Sequence, residues 1–158
     1  MPNEDLTAKH ILEREGLLDT DVVAADVDGK LYDLHTPVPE SAQVKPIKVN
    51  DPRALEVIRH SSAHVMADAV QRLFPGTKVT IGPAIDQGFY YDFDRPEGAF
   101  SEDDLARIEE VMLQVIEANT PFCREVVTRE KAEQLFSNLG ESYKLEILKD
   151  LQDPISIY

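Results

Sequence analysis

Two histidines four residues apart, His60 and His64 in RHSSAHVMADAV, are the side chains of this sequence best placed to do chemistry. On a helix this spacing puts one imidazole a turn above the other, so both can address one water, phosphate or metal. A neutral imidazole accepts a proton near pH 7, which suits water activation for hydrolysis. The plainer alternative is a pair of hydrogen-bonded histidines on a polar helix face. The zinc-protease pattern fails, because Ser61 stands where its glutamate is needed, and two ligands are too few for a catalytic zinc. Cys123 lies in FCREVV with no histidine nearby and reads as a half-buried strand cysteine. Lys144 in GESYKLEIL follows a helix stop and can reach a neighbouring pocket as a charge or donor. Tyr90 and Tyr91 alternate faces of a strand, one packing inward and the other showing its hydroxyl; the spacing does not say which. No glycine-rich phosphate loop, GxSxG elbow or kinase signature occurs, so direct ATP chemistry has no support.

The elements that must position these groups are legible as an α+β chain. TAKHILEREGLL has helical spacing with Gly16 as terminator, and DVVAADVDGKLYDL is a hairpin turning at Asp28-Gly29. Pro37, Pro39 and Pro46 punctuate the run up to Asp51-Pro52, and a domain boundary is expected at about residue 50. Asp51 as cap and Pro52 at the first helical position start a long helix that ends near Phe74. A rotation of about 100° per residue places Leu55, Ile58, Ser62, Val65, Met66, Ala69 and Leu73 on one stripe, with His60 and His64 opposite. KVTIGPAIDQGFYYDF then gives two strands joined around Asp86-Gln87-Gly88. A helix capped by Ser101 and Asp104 carries an apolar stripe from Leu105 to Ile116. FCREVVT follows as a strand, TREKAEQLFSNLG as a helix stopped by Gly140, and YKLEIL as a strand or a helical turn.

The composition sets limits on function. With 158 residues and 42% hydrophobic content the chain can bury one ordinary core, or one core and a small satellite. No run approaches the roughly 18 apolar residues of a membrane span, and the acidic N-terminus is unlike a leader, so a cytoplasmic location is expected. A single cysteine forms no internal disulfide. The net charge of -14, with acids outnumbering bases in both halves, argues against a surface that grips nucleic acid broadly. Any RNA contact is expected to be local, from residues such as Arg124, Arg129, Lys131 or Lys144, and to weaken with salt.

Taken in order, RHSSAHVMADAV, LFPGTKVTIGPAIDQGFYYDF, a glutamate-rich helix and GESYKLEIL resemble the editing domain of bacterial-type threonyl-tRNA synthetases over residues 51–158. Residues 7–47, including VDGKLYDLHTPVPESAQVKPI, resemble the back part of the ubiquitin-like TGS module that precedes it. The resemblance implies a partial β-grasp module over residues 1–50 and, over 51–158, an α+β editing domain with a long central helix against an antiparallel sheet. It implies hydrolysis of mischarged seryl-tRNA(Thr), with His60 and His64 orienting or activating the water and the terminal ribose. Lys144 would assist binding or proton traffic, and Tyr91 would line the pocket. Implied partners are the acceptor end of tRNA(Thr), bound weakly, and no DNA or membrane. A homodimer would form through domains absent here.

Two departures from the family pattern lead to further expectations. The family's Cys-x-x-x-His stretch would lie just beyond Tyr158, and the opening hairpin of the TGS module is replaced by MPNEDL. The chain is therefore expected to be a shortened form lacking the aminoacylation core, with no cofactor and no metal of its own, since ATP, Mg and Zn belong to that core, and with very weak editing. Two other readings stand beside it. One is a free-standing RNA-binding or regulatory module that has lost catalysis; the other is a metal-dependent, alanyl-type trans-editing protein, which bound zinc would favour.

Overall fold

The computed structural model describes residues 6–80, 82, 84–85 and 87–157. Helices and small antiparallel sheets alternate along the chain, an α+β organisation. The chain gathers into two compact units, Met1–Arg59 and His60–Tyr158.

In the first unit, helix α1 (Ala8–Arg14) starts with a capping box: Thr7 Oγ1 accepts the His10 N–H, and the His10 ring accepts the Thr7 N–H. Strands β1 (Val22–Val27) and β2 (Lys30–Tyr32) form the expected hairpin. Asp28 and Gly29 both have positive φ, 51° and 85°, the backbone a two-residue hairpin turn demands, and Asp26 Oδ1 accepts the Gly29 N–H at 2.8 Å. A third strand, β3 (Val44–Lys48), pairs antiparallel with the other side of β1, giving the order β2-β1-β3. Pro46 thus sits inside a strand instead of interrupting the chain. An edge strand tolerates it, because the missing N–H need not serve a second neighbour. Ile11 and Leu12 of α1 bury against Ala25, Val27, Val38 and Val44.

Helix α2 (Ala54–Leu73) carries the two histidines. It begins two residues later than Pro52. Asp51 still serves its start, accepting the Arg53 N–H at 2.9 Å. Its apolar side follows the expected stripe only in part: Ala69 is buried with Met66 and Leu73 packed beside it, but Leu55 and Ile58 are 47% and 36% exposed, and Ala63, Ala67 and Val70, outside the stripe, are buried.

In the second unit, the segment expected as two strands is four short ones: β4 (Lys78–Val79), β5 (Ala84–Ile85), β6 (Gly88–Phe89) and β7 (Phe93–Asp94). β5 pairs with β6 and β4 with β7, both antiparallel. The expected turn residue Asp86 lies outside the described residues. Helix α3 (Glu102–Glu117) has the expected capping box, Ser101 Oγ accepting the Asp104 N–H and Asp104 the Ser101 N–H. Ile108 of α3 packs with Ala69, Val70 and Phe74. Arg95 lies over the Phe74 ring at 4.2 Å while pairing with Asp104 at 3.1 Å.

Strand β8 (Glu125–Val127) starts only after Cys123, which is an exposed loop residue and not a half-buried strand residue. Helix α4 (Arg129–Leu139) is capped by Thr128 and ends at Gly140 in the left-handed region. YKLEIL is helical, within α5 (Ser142–Asp150), and β9 (Ile155–Ile157) pairs with β8. Val127, Ala132, Leu148 and Ile155 close this part into a core. Among the described residues no helix is long and apolar enough to cross a membrane.

Candidate functional site

The helical spacing of His60 and His64 produces a direct contact. Their Nε2 atoms stand 3.0 Å apart, with ring centroids 4.7 Å apart and planes inclined at 64°. One nitrogen must carry the proton and the other accept it, so the pair is stable with at most one of these two nitrogens protonated. His60 is exposed and His64 half-buried, with the Phe122 ring 6.2 Å from it. Burial, then the charges of His60 and Lys144, hold the His64 imidazole below the usual histidine range. At neutral pH it is therefore a neutral base.

Lys144 enters through the first turn of α5, which is tied down on several sides. The Tyr143 hydroxyl donates to Asp94 of β7 at 3.0 Å, and Lys78 of β4 donates to Ser142 Oγ at 3.5 Å. Lys144 Nζ lies 3.8 Å from Glu141 Oε1 and 5.6 Å from the Phe136 ring. Glu141 in turn accepts from Gln71 Nε2 of α2 at 3.1 Å.

Of the two tyrosines, Tyr90 is exposed and Tyr91 half-buried, stacked on Phe93 at 5.1 Å. Burial, then the Glu141 charge, push the Tyr91 phenol above its ordinary value, so it stays a protonated donor. Gly82 is required beneath it, since a Cβ there would fall 2.3 Å from the ring.

Glu141 and Gln71 escaped sequence reading. Gln71 lies two turns after His64 on one helix face, a signal that was available. Glu141 follows the left-handed Gly140, but its partner is seventy positions away. All four cations expected to meet RNA have partners within the protein, Lys144 through Glu141 as above. Arg129 donates to the Leu148 and Leu151 carbonyls, Lys131 pairs with Glu125, and Arg124 donates to Ser156 Oγ. Among the described residues no group of three or more His, Cys, Asp or Glu side chains is arranged to hold a metal ion.

Known proteins give a clear likeness. A threonine–tRNA ligase of Brucella canis is 57% identical over 126 residues, which is 80% of this chain and 19% of that protein. One from Nitratidesulfovibrio vulgaris is 50% identical over 139 residues, 87% of this chain and 21% of that protein. The chain matches a fragment of threonine–tRNA ligase. No protein-family model matches it. The chain spans about a fifth of the length of these ligases. A match that long must include the helix bearing His60 and His64 and the stretch bearing Tyr91.

Proposed function

We propose that the chain is the N-terminal part of a threonine–tRNA ligase, at work in protein synthesis, with a partial TGS module followed by an editing domain that hydrolyses seryl-tRNA(Thr). Serine lacks only the methyl group of threonine, which is worth about 1–3 kcal/mol of discrimination, so a second site that destroys the smaller product is needed. The observation that carries the reading is the 3.0 Å histidine pair in a chain so similar to these ligases.

The chemistry follows from the protonation states. A water oxygen attacks the ester carbonyl carbon, and neutral His64 takes its proton. The proton then passes to the ribose oxygen as the carbon–oxygen bond breaks, leaving free serine and uncharged tRNA. His60 orients His64 through their hydrogen bond, and the Lys144 ammonium offsets the charge that develops on the carbonyl oxygen. Tyr91 lines the pocket as a neutral donor. The partner is the acceptor end of tRNA(Thr), held weakly by an acidic chain, and the setting is the cytoplasm. Incubating the chain in excess with seryl-tRNA(Thr) and threonyl-tRNA(Thr) tests this. Slow loss of serine with threonine spared is expected; equal loss of both, or none above a no-protein control, contradicts it.

A further inference from the structure

We infer that Glu141 is a positioning residue, which fastens the start of α5 to the histidine helix through Gln71 and holds the Lys144 ammonium 3.8 Å from its own carboxylate; this rests on His64 and Lys144 forming the site proposed above. Glu141 is a carboxylate with only 9% of its surface exposed. Backbone geometry sets it there: Gly140 turns the chain through φ 71°, and the Glu141 N–H donates to the Phe136 carbonyl at 2.9 Å. Glu141 stands at the cap position of α5 but makes no side-chain hydrogen bond to that helix. Its carboxylate reaches across to Gln71 instead.

The cost of this arrangement is visible. Glu141 Oε2 is buried and has no hydrogen-bond partner among the described residues, while Oε1 has the Gln71 amide at 3.1 Å and the Lys144 ammonium at 3.8 Å. A buried carboxylate with half its acceptor capacity unused is unfavourable unless a nearby positive charge offsets it. Lys144 is that charge. The attraction is reciprocal, so the carboxylate keeps a flexible lysine from moving out to solvent. His60 on its own helix and Lys144 on α5 both act to lower the His64 pKa, and the neighbouring Phe122 ring is neutral.

The test is a double-mutant cycle read on the His64 imidazole by proton NMR titration of the full chain, with no substrate present. Lys144→Met is expected to raise the His64 midpoint in the otherwise unchanged protein. In a Glu141→Gln background, whose amide oxygen still accepts from Gln71 but carries no charge, the same substitution is expected to move the midpoint less than about half as far. Gln71→Met is expected to shrink the Lys144 effect as well, because the carboxylate loses its anchor; this variant serves if Glu141→Gln does not fold. An undiminished Lys144 effect in either folded background overturns the inference. Because the readout needs no ester, failure of the hydrolytic reading appears separately, as hydrolysis indifferent to the histidines.

Discussion

Tyr91 lies against Gly82 so closely that a single added methyl would fall within its ring, 2.3 Å from Cδ2. Gly82→Ala must therefore displace the Tyr91 side chain from its stack on Phe93. A loss of about 1–3 kcal/mol in denaturant unfolding is expected for such overpacking, with a changed tyrosine emission. Unchanged stability and emission would show that the ring moves aside freely.

Arg129 gives a contrast between binding and folding. Its guanidinium donates to the Leu148 and Leu151 carbonyls at the end of α5 and lies 3.5 Å from Asp153. Arg129→Ala is expected to cost about 1.5–3 kcal/mol of stability, the range for charged hydrogen bonds. Once folded, the variant should retain the wild-type dependence of tRNA binding on salt. Lys144→Met should instead lower the slope of log affinity against log salt by about one. Filter binding at several salt concentrations distinguishes the two roles.

Much of the local structure was legible in the sequence because its signals are local. Ser101 with Asp104, Gly140 and Asp28-Gly29 each act on a backbone a few residues away, and each stands where expected. The rest depends on distant partners. Pro46 looked like a break until β1 supplied a neighbour on one side only, and nothing near Arg129 in sequence signals that its guanidinium reaches the carbonyls at the end of α5. The histidine spacing could be read, but the bond from Gln71 to Glu141 could not, since its partners lie seventy positions apart on different helices.

The depressed His64 pKa has a consequence for stability. The unfolded histidine titrates near 6.5 and the folded one lower, so between those two values the unfolded state binds more protons. This contribution is fully present above pH 6.5 and is lost as pH falls through the folded midpoint. Lys144→Met, which removes one cause of the depression, should narrow the window. Urea unfolding across this range, compared with His64→Gln, isolates the contribution; a His64 midpoint at or above the ordinary value by NMR would contradict it.

The rate of serine release from seryl-tRNA(Thr) by the chain in excess measures most directly whether the imidazole pair carries out the proposed hydrolysis. With His60→Ala or His64→Ala, each first checked for an unchanged fold, release is expected to fall at least about a hundredfold, or to the no-protein rate, as befits loss of general base catalysis. If both folded variants release serine as fast as the unaltered chain, the histidine pair is not the hydrolytic site.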